Sequence, residues 1–435
     1  MQKKTMMMTA AVLLAVLPAF FSCVLPGAVR ITSPTDNAVF EYGEQITFTA
    51  ETGDADVTSL TWTSGVDGAL GTGAVLATDG LSAGDHTITL TATLADGTTA
   101  TDSITVTVNP PPVVEVGSNI DTLTTWESPN IYVVTRWFNI TSALIIEPGT
   151  IVKFKPGTYI NVKGTLSADG TEDNPIVFTS WKDDARGGDT NGDSSLTSPE
   201  AGDWANILIE GDRNESVFNR CRFYYGGIGG GWRYTLSIQS DDTTVTNCIF
   251  AYNKGDSGPN NDGADGALNA RYAGSSTVIT GNIFYANEKP LRIGTGIDID
   301  DSNTFFNPDD PTQTNTYNAV LVSALADVSG DRTWAETEVP FVIEPWSMTI
   351  PAGSSLTLGD GVIVKFKNNH VNVNDDNLNN FDGDGVWFTS WKDDTLGGDS
   401  NGDGGLTSPA DGDWECIYIK QSVCADWDNI LFDTD

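Results

Sequence analysis

The chain has 435 residues and a formal net charge of -37, from 22 basic and 59 acidic residues, with 39% hydrophobic residues and only two His, His86 and His370. That balance disfavours nucleic acid, whose phosphates are met by Lys and Arg, and docking on anionic lipid; two histidines leave no room for a His-rich zinc site. The length allows two or three domains with real cores, and the acid excess makes divalent cations natural partners.

Residues 1–23 read MQKKTMMMTAAVLLAVLPAFFSC. Lys3 and Lys4 form a basic start, and Met6 to Leu17 form an apolar stretch of about a dozen residues, the size of a secretory signal and short for a membrane span. The mature chain is therefore expected at the cell surface or outer membrane, or secreted. Phe20-Phe21-Ser22-Cys23 resembles a bacterial lipobox, with Phe20 where that family usually has Leu. The resemblance implies that Cys23 carries a lipid anchor; ordinary signal cleavage is the alternative. The other cysteines, Cys221, Cys248, Cys416 and Cys424, show no CxxC spacing, which argues against zinc. Cys221 and Cys248 each stand two residues before a Phe and read as buried thiols.

Residues 28–109 alternate with period two, as in Gln45–Ala50, His86–Leu94 and Ser103–Val108. Half-buried strands at this spacing predict a β-sandwich. Ile31-Thr32-Ser33-Pro34, Leu60-Thr61-Trp62-Thr63-Ser64 and Leu81 to Ile88 resemble bacterial immunoglobulin-like domains of the polycystic-kidney-disease type. The resemblance implies a spacer or weak binding module with Trp62 as core anchor. His86 reads as a structural polar residue. Pro110 to Pro112 then form a stiff linker.

The rest of the chain carries a duplication. Residues 178–204 and 388–414 are identical at 20 of 27 positions, at a constant offset of 210. Upstream, Ile151 to Lys155 matches Ile363 to Lys367; downstream, Ile207 to Ile209 matches Ile417 to Ile419. The boundaries are 113–320 for one repeat and 321–435 for a second, incomplete repeat. Short β runs are separated by Gly, Pro, Asn and Asp, and Phe223, Phe250, Phe284 and Phe305 recur at spacings of 27, 34 and 21. One apolar strand per coil predicts a stacked solenoid. Leu144 to Thr150 with Val152-Lys153-Phe154, Gly164 to Thr171, and Asn174 to Ser180 resemble the right-handed parallel β-helix of the pectate-lyase-like superfamily. That superfamily includes enzymes, adhesins and purely structural surface proteins. The expected fold class is all-β, a sandwich followed by this β-helix.

Each duplicated cassette carries six carboxylates: Asp183, Asp184, Asp189, Asp193, Glu200 and Asp203, then Asp393, Asp394, Asp399, Asp403, Asp411 and Asp413. Asp189-x-Asn191-Gly192-Asp193 has the one-three-five oxygen spacing of a calcium loop, with Glu200 at position 12. The second cassette repeats it as Asp399, Asn401 and Asp403. Asp203 and Asp413 are candidates to complete each shell. Ser194 stands where such loops place Gly, and Ala410 occupies position 12 of the second cassette. The competing reading is a polar loop satisfied by its own turns. Structural calcium is expected because so many clustered carboxylates repel without a counter-ion. Trp181, Trp204, Trp391 and Trp414 bracket the cassettes, either stacking on sugar or covering the coil.

No catalytic residue is assigned. A polysaccharide lyase would need a base, for which Lys254, Arg271 and Arg292 are nominal candidates. A glycoside hydrolase would need paired carboxylates, such as Asp262 with Asp265 or Asp241 with Asp242. None sits in a catalytic signature. The sequence reads as an exported structural or adhesion protein whose partners are a polysaccharide or a surface protein. A carbohydrate-active enzyme is the alternative.

Overall fold

The computed structural model describes residues 29–431 except 54–55, 229–232, 256–264, 345, 375–380, 383–384, 421–422 and 426–427. Cys23 and the signal segment lie outside the described residues, as does Asp262. The described residues contain strands and turns and no helix. The chain divides into two units, Met1–Pro110 and Pro111–Asp435.

In the first unit, a five-stranded sheet and a three-stranded sheet enclose one core. The five-stranded sheet runs Ala38–Phe40, Thr99–Val108, Gly84–Leu94, Val57–Ser64, Gly68–Thr72; the other runs Arg30–Ser33, Ile46–Glu51, Val75–Thr78. Period-two alternation puts His86, Ile88, Leu90 and Ala92 inside and turns the intervening threonines outward. Trp62 is fully buried, 5.6 Å from Phe48, and its indole N–H donates to the Gly73 carbonyl at 2.9 Å. His86 is also buried, held by Ser64 Oγ at 2.9 Å and the Ser82 carbonyl at 2.7 Å.

The second unit is a parallel β-solenoid. Among the described residues, successive coils add strands to a six-stranded, a seven-stranded and a ten-stranded parallel sheet. Stacking in register lines identical residue types up along the axis. Phe178, Phe223, Phe250, Phe284 and Phe305 form a ladder of stacked rings, with neighbouring centroids 4.6–5.4 Å apart. Asn253, Asn287 and Asn315 form a buried amide ladder, each side-chain N–H₂ donating to the next side-chain oxygen at 2.9 Å. Such a ladder satisfies turn backbone that the solenoid buries. Cys221 and Cys248 are buried free thiols on adjacent coils.

The two repeats do not stack in phase. Ile151–Phe154 and Ile176–Ser180 belong to the seven-stranded sheet, but their counterparts Ile363–Phe366 and Trp387–Ser390 belong to the ten-stranded one. Likewise Ile160–Val162 and Ile207–Arg213 lie in the ten-stranded sheet, and Val371–Val373 and Ile417–Ile419 in a separate four-stranded sheet. The six- and seven-stranded sheets have their last strands at Val278–Thr280 and Ile283–Tyr285; among the described residues the ten-stranded sheet continues through the junction. The second repeat is therefore advanced by one face, and the two cassettes leave the solenoid at different corners.

Candidate metal centre

Each cassette is an excursion between two strands, built outward from a lysine in the wall. Lys153 and Lys365 are fully buried on Ile151–Phe154 and Ile363–Phe366. Lys153 Nζ donates to the carbonyls of Asp183 at 2.9 Å and Gly188 at 2.7 Å. Lys365 Nζ donates to the carbonyls of Asp393 at 2.7 Å and Gly398 at 2.9 Å, and to Ser400 Oγ at 3.0 Å. Burial pushes both ammonium groups down to about 8, against the pull of the cassette aspartates. Gly187 allows this close wrapping. Its φ is +72°, and an ideal Cβ there would lie 2.6 Å from Ile131 Cδ1.

On the neighbouring strand, Thr179 and Thr389 donate to the buried carboxylates of Asp183 and Asp393, at 2.6 and 2.8 Å. Asp203 and Asp413 clamp the base of each loop. Asp203 accepts from Ser180 Oγ and Lys182 Nζ, both at 2.7 Å, and from the Glu200 backbone N–H at 3.0 Å. Asp413 repeats the set with Ser390, Lys392 and the Ala410 N–H. Trp204 and Trp414 close the loops from within, fully buried and stacked 4.1 Å from Phe154 and Phe366. They belong to the core; Trp181 and Trp391 lie half-buried under Lys155 and Lys367.

Three carboxylates converge in each cassette: Asp184, Asp189 and Asp193, then Asp394, Asp399 and Asp403, each group with ligand atoms within 4.8 Å of one another. These clusters could hold a metal ion. Among the described residues, no ion pair reaches any of the six. Asp184 Oδ1 and Asp394 Oδ1 are enclosed without a hydrogen-bond partner, so each cluster keeps an oxygen to spare. The Ser194 backbone N–H, with help from Gly192 and Asp193, holds the Asp189 carboxyl below its ordinary range. The Thr197 hydroxyl does the same for Asp193. Asp394 is raised instead, by burial first and then by the charges of Asp399 and Asp403. An all-oxygen, mostly ionised set suits a hard cation.

The predicted ligands divide accordingly. Asp189 with Asp193, and Asp399 with Asp403, are brought together. Asn191 and Asn401 turn their amide N–H₂ groups onto Asp193 at 2.9 Å and Asp403 at 3.0 Å. Glu200, Asp203 and Asp413 stand outside the clusters. In place of Asp203 and Asp413, the shell gains Asp184 and Asp394, which the linear one-three-five pattern does not reach. The lysine plugs were also missed, although Lys153 and Lys365 stand in matching segments upstream of both cassettes.

The other described candidates each have contacts of their own. Arg292 is fully buried and paired with Glu344 at 2.8 Å, and Lys254 lies 3.6 Å from Glu288. The Arg271 guanidinium lies 4.5 Å over Tyr272. Gly274 packs tightly against the carboxylate of Asp241, and Asp242 sits in a left-handed turn at φ 65°. Cys416 and Cys424, unassigned from spacing, form a disulfide across the hairpin of Ile417–Ile419 and Val423–Cys424.

No protein-family model and no curated protein matches the chain. Among solved structures, the fibronectin(III)-like modules of Clostridium thermocellum CbhA are similar over 19% of this chain and 94% of theirs, at 23% identity and a TM-score of 0.18.

Proposed function

We propose that this is an exported cell-surface scaffold whose two cassettes bind structural calcium and whose solenoid presents a surface to glycan or protein partners. The convergence of three carboxylates in both cassettes carries the reading. Asp184, Asp189 and Asp193 hold one ion, and Asp394, Asp399 and Asp403 the other. Calcium supplies positive charge and a demand for six to eight oxygens, which backbone carbonyls and water complete. The chain's own part is to hold the loops in place through Lys153, Lys365, Asp203 and Asp413.

Supporting features are the Cys416–Cys424 disulfide, which belongs to an oxidising compartment, and the Phe and Asn ladders, which suit a right-handed β-helix of the pectate-lyase-like kind. The sandwich acts as an immunoglobulin-like spacer, and Cys23 as the lipid anchor. Melting the protein with calcium and with chelator tests the central claim. Calcium should raise the midpoint, and Asp189→Ala should remove part of that rise; identical melting overturns it. For the anchor, Cys23→Ser should release the protein from membranes.

A further inference from the structure

The outer face of the seven-stranded sheet holds a cavity of about 370 Å³ whose lining includes no cassette residue. Phe223, Phe250 and Phe284 point into the core, so strand alternation turns Arg222, Ile249 and Ile283 outward. Parallel register stacks these three in one row, Arg222 beside Ile249 and Ile249 beside Ile283. Two residues before each lies a second row at the corner: Arg220, Asn247 and Gly281. All three are left-handed, at φ 49°, 54° and 68°. Side chains shorten along the corner row from Arg to Asn to Gly, and along the strand row from Arg to Ile. The shortening opens the cavity, which both rows line. Glu172 and Pro175 line it from the loop before Ile176–Ser180, on the coil beside the arginines.

Both arginines are half-buried. Among the described residues, no ion pair or side-chain hydrogen bond reaches either guanidinium. By contrast Lys155, Arg186 and Arg292 each meet a carboxylate at 2.8–2.9 Å. Two unpaired arginines on one cavity are unexpected in a chain with 59 acidic and 22 basic residues. Of the acids on the adjoining loop, only the exposed Glu172 shares the lining. Asp169 accepts instead from Asn219 Nδ2 at 2.7 Å, and neither it nor Asp173 lines the cavity.

These features select a ligand chemistry. A guanidinium fork matches a carboxylate through two parallel hydrogen bonds. Ile249, Ile283 and Pro175 offer apolar surface beside it. Two guanidinium groups against one exposed carboxylate suit a single negative charge. The net charge of -37 repels polyanions, and no aromatic ring lines the cavity for a sugar to stack on. We propose that this cavity binds a singly charged carboxylate on an apolar body, held by Arg220 and Arg222 over Ile249 and Ile283. A free organic acid or the C-terminal residue of a peptide would supply that chemistry. The site goes beyond the scaffold reading and requires neither cassette to hold an ion.

The test is calorimetric titration of the full chain with N-acetyl-leucine and with isocaproate, with N-acetyl-leucine amide and acetate as comparisons. Both apolar carboxylates should bind, and the uncharged amide should bind about tenfold more weakly or worse. Tighter binding of N-acetyl-leucine supports the site with a peptide terminus as its source, and tighter or equal binding of isocaproate supports it with a free acid. Arg222→Gln and Arg220→Asn should each weaken binding about tenfold; Asn tolerates the left-handed corner. Both side chains lie outside the core, so melting should stay unchanged. No binding of either apolar carboxylate, equal binding of the amide or of acetate, or unaltered binding by both arginine variants each overturns the proposal. Calcium-dependent melting, read separately, stands or falls by itself.

Discussion

The two cassettes share most of their residues and differ in their surroundings. The tip of the first stands clear: an ideal Cβ on Gly192 would meet nothing within 4 Å. The second is packed against the preceding coil. A Cβ on Gly402 would lie 2.9 Å from the Tyr317 ring, and the Asn318 N–H donates to the Asp399 carbonyl at 3.3 Å. The buried aspartate is also satisfied differently. Arg186 pairs with Asp183 at 2.9 Å and lies 3.9 Å over Tyr224. In the second cassette Leu396 takes the arginine's place, and Thr395 donates to Asp393 through its backbone N–H and its hydroxyl. The hydrogen-bond skeleton is local and travels with the sequence. The packing is not, because the second repeat sits one face further round the solenoid.

The largest effect should come from what the cassettes have in common. Lys153→Met and Lys365→Met each strand buried carbonyls and should cost about 3–4 kcal/mol in denaturant unfolding. Lys365 makes one more bond, so its replacement should cost more. Equal, negligible losses would show that the lysines only fill space.

Calcium should separate the loops. A site at a hundredfold excess over its Kd adds about 2.7 kcal/mol. The open first cassette should surrender its ion to chelator before the covered second one. Asp189→Ala should therefore abolish the weaker phase of a chelator titration, and Asp399→Ala the stronger. A single phase unaffected by either change would break the comparison.

The pH response should again be shared. Both lysines titrate near 8 in the folded chain, against 10.5 ordinarily. Between those values the unfolded chain binds more protons, so stability should rise with pH. The contribution is full above 10.5 and is lost as pH falls to about 8. Burial raises Tyr234 and Tyr285 to about 12, which opposes this trend above pH 10. Burial also pushes Glu336 up to about 8, which lowers stability as pH rises through the same range. In chelator between pH 7.5 and 9.5, the two lysines together should gain on the order of 3–4 kcal/mol and Glu336 should offset about 1 kcal/mol of it. Replacing one lysine should remove about half of the lysine gain, and replacing both should leave a small fall.

The smallest effect concerns one turn. Ser194 and Ser195 have φ of 56° and 66°, where the second cassette has Gly404 and Gly405. Ser194→Gly should stabilise by about 1 kcal/mol or less, and Gly404→Ser should cost a similar amount. Opposite signs in calorimetry would mean that the serine side chains support the loop.

Much of this molecule is determined locally and can be read along the chain. Alternation of Thr with apolar residues specifies the sandwich strands. The recurring Phe223, Phe250, Phe284 and Phe305 announce coils, because stacked strands place one such residue per turn on the inside. The cassette carboxylates are legible for the same reason, since Asp189 and Asp193 belong to one tight turn. What the chain alone left open depends on which strand lies beside which. Asp184 joins its cluster, and Lys153 reaches its carbonyls, only through the folding-back of the loop over the wall. Cys416 meets Cys424 across a hairpin that no motif spacing marks. The one-face advance of the second repeat has no signature in a constant offset of 210 residues, because the length of each coil is set by its loops and insertions. Sequence periodicity counts residues; only the stacked backbone decides how many of them make a turn.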